Sequence, residues 1–168
     1  MHYDLMSNRY KIRQKLISIG DDFWIENAKG QNVFKVDGKA LRLRKTLEFE
    51  DAKGRKLAQI KERLLSIKDT MVIEDANGKD IATVKKALIA PLRDKWNVNV
   101  KGGEDLVVQG NILDLEYDIR QGRRKVAEVS KRWFTITDTY GVEIAEGQNE
   151  ILVLAVAIAV DMMAHDEA

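Results

Sequence analysis

The sequence predicts a mainly β protein in which about a dozen short strands close into an antiparallel barrel around a central hydrophobic C-terminal helix. Three observations carry that prediction. Ile151 to Val160 is apolar without a break. Upstream of it, short alternating segments recur around a repeated Asx-x-x-Gly turn. A barrel of that many strands is also too wide for its own wall side chains to fill, since diameter grows with strand number. The apolar helix and the wide barrel therefore explain each other.

A helix with no polar face is either a membrane span or the buried centre of a fold. With Met162, Met163 and Ala164 added, the run is interrupted by Asp161 and stays short of the ~20 apolar residues that a bilayer core requires. It is read as a buried helix over residues 149–164, capped at Gly147 or Asn149. At ~1.5 Å of rise per residue it is long enough to run through a barrel.

The upstream repeat is Phe23-Trp24-Ile25-Glu26-Asn27-Ala28-Lys29-Gly30, then Leu47-Glu48-Phe49-Glu50-Asp51-Ala52-Lys53-Gly54, then Met71-Val72-Ile73-Glu74-Asp75-Ala76-Asn77-Gly78. In each, alternation gives a strand, the Asn or Asp starts a turn, and Gly supplies a positive φ at little steric cost. The return strands are Val33 to Val36, Leu57 to Lys61 and Ile81 to Lys85. In the last two, lysines fall opposite the apolar face, so one side is wet. The links Ala40 to Arg44 and Leu64 to Ile67 are read as further strands or turns. Pro91 blocks a central strand and marks the connection between two halves.

The second half resumes with strands at Trp96 to Val100, Asp105 to Gly110, Leu115 to Ile119 and Val126 to Ser130. A last hairpin is read over Phe134 to Ala145, turning at Asp138-Thr139-Tyr140-Gly141 because that tetrapeptide repeats the earlier pattern. Trp24, Trp96 and Trp133 are read as packing in the barrel wall or against the helix.

With 168 residues the chain fits one domain, residues 1–168. Charged residues make up 33% of it yet leave a formal net charge of +1, so bulk charge does not mark a nucleic-acid binder. Absence of cysteine excludes disulfides and thiol chemistry. The opening residues lack the apolar core of a signal peptide, which makes the cytoplasm the expected compartment. His2 and His165, the two histidines, sit near the termini, a poor basis for a histidine relay or metal site. No Gly-rich loop has the strand-to-helix setting of a dinucleotide site. The Asp138 to Glu143 stretch lacks the dense ligand alternation of a calcium loop.

Several segments, in this order, resemble the LURP-one-related family: Gly110-Asn111-Ile112-Leu113-Asp114-Leu115-Glu116-Tyr117-Asp118-Ile119, Val126-Ala127-Glu128-Val129-Ser130-Lys131-Arg132-Trp133, and Asp138-Thr139-Tyr140-Gly141-Val142. The Asp-x-x-Gly hairpins and the terminal apolar helix fit the same pattern. The resemblance implies the fold shared by the tubby C-terminal domain and the phospholipid scramblases, a closed antiparallel barrel of about twelve strands around a hydrophobic helix. In function it implies phosphoinositide headgroups or DNA through the tubby likeness, and lipid transfer or calcium through the scramblase likeness. No residue pattern carries either site over position by position, and a shared fold is weak support for a shared function.

Basic clusters are the functional lead. Lys11, Arg13 and Lys15 alternate, Arg42 and Arg44 precede Lys45, and Lys131-Arg132 precede Trp133, while Arg120, Arg123, Arg124 and Lys125 flank a turn. Alternation in a strand aims cations at one face, where they can hold phosphate. The candidate anion site is Arg120, Arg123, Arg124, Lys125, Lys131 and Arg132. The competing reading is a solvated exterior whose charges oppose edge pairing. The expected function is a non-enzymatic binding or scaffold domain without a cofactor or metal. It would be cytoplasmic or peripheral at the membrane, a monomer by default, and would engage anionic phospholipid headgroups. The alternatives are a membrane-tethered scramblase-like protein whose C-terminal helix enters lipid, and a nucleic-acid-associated regulator.

Overall fold

In a computed structural model that describes residues 7–13, 22–37, 46–62, 70–87, 94–134 and 139–166, the described residues form twelve strands and one helix. The strands are β1 (Ser7–Arg13), β2 (Phe23–Glu26), β3 (Asn32–Asp37), β4 (Thr46–Asp51), β5 (Lys56–Glu62), β6 (Thr70–Asp75), β7 (Asp80–Lys86), β8 (Asp94–Val100), β9 (Leu106–Asn111), β10 (Glu116–Gln121), β11 (Arg124–Ser130) and β12 (Thr139–Ala145). Helix α1 (Glu150–Asp166) ends the described chain. The strands form a closed barrel in which sequence neighbours pair antiparallel from β2 to β12, and β1 fits between β12 and β2. β1 lies along β12 from Ser7↔Ala145 to Arg13↔Thr139, whereas its register with β2 is the single pair Lys11↔Glu26.

Period-two alternation decides which side chains enter the barrel. Ile12, Phe23, Ile25, Val36, Phe49, Ile60, Ile73, Val84, Trp96, Val108, Ile119, Val129 and Val142 all point inward and are buried. α1 occupies the space they leave, with every residue from Leu152 to Ala164 buried. The helix starts where its cap allows: Asn149 Oδ1 accepts the Leu152 N–H at 3.1 Å, and the Asn149 carbonyl accepts the Val153 N–H at 3.0 Å. At ~1.5–3 kcal/mol for each buried Val, Leu or Ile, this core is the main source of stability. Among the described residues no helix is long and apolar enough to cross a membrane.

Two polar features interrupt the interior. Tyr10 donates to Glu150 Oε2 at 2.5 Å beside the helix start, where Asn8 Nδ2 donates to the other carboxylate oxygen. Near the other end Asp161, 1% exposed, accepts from the Tyr140 hydroxyl at 3.3 Å. Burial, and then the charge of Asp161, push the Tyr117 and Tyr140 phenols well above the usual tyrosine range.

Because the strands alternate in direction, the even-to-odd turns collect at one end of the barrel and the odd-to-even links belong to the other. The first end holds turns after β2, β4, β6, β8 and β10, and the start of α1. Of the links at the second end, 112–115 and 131–134 are described. Ala40 to Arg44, Leu64 to Ile67 and Pro91 lie outside the described residues, so the readings made for them do too.

The final hairpin differs from its reading. Tyr140 and Gly141 lie inside β12, with Gly141 opposite Lys11 and Ser130. Residues 135–138 lie outside the described set. Gly141 is there for a different reason than a turn. A Cβ at this position would stand 2.6 Å from Trp133 Cε3 and 2.9 Å from Phe134 Cε2, because both rings cross the outer wall at this point. The tryptophan reading also divides: Trp96 is inside the barrel, but Trp133 lies on the outer wall with Arg9 over its ring at 4.3 Å, and Trp24 is 39% exposed. Trp24 falls on the outward phase of β2, between the inward Phe23 and Ile25.

Candidate functional site

Four of the six candidate cations meet at the turn between β10 and β11. Gly122 turns the chain with φ +60°, and a register shift after Ile119 brings Arg120 opposite Lys125 and Gln121 opposite Arg124. Two of the four are engaged locally. Arg120 donates to Asp118 Oδ2 at 3.1 Å and to the Arg123 carbonyl at 3.3 Å, while Lys125 Nζ lies 3.3 Å from Glu128 Oε2. Arg123 and Arg124 are exposed and have no ion-pair partner among the described residues. Their guanidinium groups offer the fork of donors that suits phosphate oxygens.

Lys131 and Arg132 do not join them. The whole of β11 separates the two pairs, about 20 Å at ~3.3 Å per residue, so they sit at opposite ends of the barrel. Arg132 is tied into the wall: its Nε donates to Glu116 Oε2 at 3.2 Å and its Nη2 lies 3.6 Å from Glu128 Oε1. The Glu116 carboxylate also accepts from the Ser130 hydroxyl at 2.8 Å and the Lys131 N–H at 3.2 Å. That carboxylate anchors the chain as it leaves β11 and leads it to Trp133 and Phe134. The six-residue patch read from the sequence is therefore two sites, of which the Gly122 turn has the free arginines.

The remaining basic clusters are likewise committed or undescribed. Lys11 pairs with Glu26 at 2.5 Å and lies 5.9 Å from the Phe134 ring, so it ties β1 to β2 and to the chain crossing outside it. Lys15, Arg42, Arg44 and Lys45 lie outside the described residues, as does the side chain of Arg13. Among the described residues no three His, Asp or Glu side chains converge as a metal cage would.

Cations that the sequence reading passed over stand on the three repeated turns at the same end as Gly122. In the second, Asp51 Oδ1 accepts the N–H groups of Lys53 and Arg55, both at 2.9 Å, and Gly54 donates back to the Asp51 carbonyl at 3.1 Å. Asn27 and Asp75 make the same bonds to residues two and four further on. The backbone N–H of Arg55 foremost, then its side chain and the Lys53 N–H, hold the Asp51 carboxyl below its usual range. Lys29, Lys53 and Lys79 are exposed and without an ion-pair partner among the described residues. The repeat itself was the signal that could have found them.

Comparisons with known proteins agree with this architecture. The sequence model of the LURP-one-related family matches residues 8–161. A crystal structure of an Arabidopsis thaliana protein superposes with a TM-score of 0.71 at 16% identity, covering 95% of this chain and 92% of that one. At that identity the likeness concerns the fold. A comparison with curated proteins returned no match.

Proposed function

The chain belongs to the LURP-one-related family, and from that premise we propose that it is a non-enzymatic binding domain that takes anionic phosphate-bearing ligands at the Gly122 turn. The observation that carries this reading is the exposed Arg123–Arg124 pair, free of carboxylate partners among the described residues while Arg120 and Lys125 beside it are engaged. The barrel supports it by exclusion of its own interior: α1 fills the centre, so ligands meet the outer wall or the rims. Arg120 and Lys125, held by Asp118 and Glu128, add positive potential without competing for the same phosphate.

The test is retention on anionic and on neutral vesicles and on a short oligonucleotide, each measured against salt. Binding through phosphate falls steeply as salt rises. Arg123→Ser with Arg124→Ser should weaken it at least tenfold, since charge-assisted bonds contribute ~1.5–3 kcal/mol each, while the melting temperature stays nearly unaltered. Absence of binding to all three at low salt, or a double variant that binds as the parent does, overturns the reading. A preference for the oligonucleotide over vesicles would move the ligand from lipid to nucleic acid.

A further inference from the structure

We propose that the three repeated turns form a level cationic face that lies against an anionic lipid bilayer, with Lys29, Lys53 and Lys79 as its contacts. This rests on the reading that the chain binds phosphate-bearing ligands, and it names a lamellar surface as the partner. The first support is that each turn is closed within itself. Asn27, Asp51 and Asp75 spend one side-chain oxygen on two backbone N–H groups of their own turn. Asp51 also accepts from Arg55 Nε at 2.9 Å. The lysine side chains are left without an ion-pair partner among the described residues, Lys29 and Lys53 two residues after their Asx and Lys79 four residues after Asp75, whose charge it offsets.

The second support is register. Phe34 faces both Ile25 and Asp51, so the second turn starts two residues short of Asn27 along the strands. Ala58 faces both Phe49 and Asp75, so the third starts two residues short of Asp51. Two residues are about 6.6 Å along a strand, against about 9.6 Å across the two strand spacings of one hairpin. That ratio corresponds to a strand tilt of about 35°, the tilt that closing a barrel requires. The equal stagger therefore cancels the tilt, and the three tips stand level on the rim about 12 Å apart.

A plane of headgroups meets level tips together, whereas a peptide or a nucleic-acid strand would have to follow the curve of the rim. Ala28, Ala52 and Ala76 are the exposed apolar residues on these tips, too small to enter hydrocarbon, so the contact is electrostatic and peripheral. The face ends where the next turns begin. Lys101 lies 3.9 Å from Asp80, and the turns on either side of Gly122 carry Glu104, Asp105 and Glu146.

The experiment uses the full chain and three samples: the parent, the Lys29→Ser/Lys53→Ser/Lys79→Ser triple, and the Arg123→Ser/Arg124→Ser double. Each is sedimented at low salt with phosphatidylcholine vesicles, with and without phosphatidylserine, and titrated with inositol hexakisphosphate as a soluble phosphate probe. The triple should lose roughly a hundredfold in binding to phosphatidylserine vesicles, keep its melting temperature, and still bind the soluble probe. A triple that binds the vesicles as tightly as the parent overturns the face, and so does a parent that binds the soluble probe but no vesicle, although the Gly122 site survives both results. Loss of vesicle binding in the triple with no effect of the double leaves the face standing and removes the Gly122 site. A parent that binds neither probe removes both.

Discussion

Where β4 passes into β5, Asp51 closes a turn using only residues up to Arg55. Where β11 leaves the wall at the other end, Glu116 instead takes donors from Ser130, Lys131 and Arg132, up to sixteen residues away in the chain. The same end holds Asp161 against Tyr140 inside and Gly141 against Trp133 outside. The difference is one of range. Local closure of the three repeated turns leaves the side chains of Lys29, Lys53 and Lys79 without an ion-pair partner among the described residues, so they are available to a ligand. At the other end Glu116, Asp161 and Gly141 are each held against a distant or non-local neighbour, and substitution there acts on the barrel itself.

That contrast can be broken by two valine substitutions at glycine. The larger effect belongs to the far end: Gly141→Val forces methyl groups into Trp133 and Phe134, which must leave the wall, and should cost about 2–3 kcal/mol in denaturant unfolding. It should also expose Trp133, with a change in tryptophan fluorescence under native conditions. At the turn end Gly54→Val meets no atom within 4 Å but is strained by φ +84°. It should cost about 1–2 kcal/mol with the emission unchanged. Equal losses and equal spectra would mean that the two ends do not differ in the way described.

The same distinction explains what was legible in the sequence. The repeated hairpins were readable because Asx, Gly and the flanking alternation lie within a few residues of one another, and their φ values of +79°, +84° and +82° at Gly30, Gly54 and Gly78 bear that out. The helix was readable because ten consecutive apolar residues leave few alternatives. Asp138-Thr139-Tyr140-Gly141 looks like a fourth such turn because it repeats the same tetrapeptide pattern, but Thr139 to Gly141 belong to β12, where the rings of Trp133 and Phe134 against Gly141 explain the glycine. Lys131 and Arg132 were grouped with the Gly122 cations because both clusters flank β11 in sequence, and only the strand's length places them at opposite ends. Trp24 is read as packing in the wall or against the helix, but its neighbours Phe23 and Ile25 point inward and fix it on the outer face. Lys29, Lys53 and Lys79 were in plain view, but their turns were read for shape and not for charge.

All of this depends on α1 being the core of the barrel, because a filled interior is what sends ligands to the rims. The most direct measurement is the unfolding of a chain that ends at Gln148, followed by circular dichroism and by binding of an apolar dye. Without α1 the inward faces of twelve strands lose the helix residues Leu152 to Ala164 that they bury, a loss on the order of 10 kcal/mol or more, which equals the whole stability of a typical domain. The truncated chain should show no cooperative transition and should bind the dye strongly. A truncated chain that remains monomeric, excludes the dye and melts cooperatively near the full-length temperature would contradict the account.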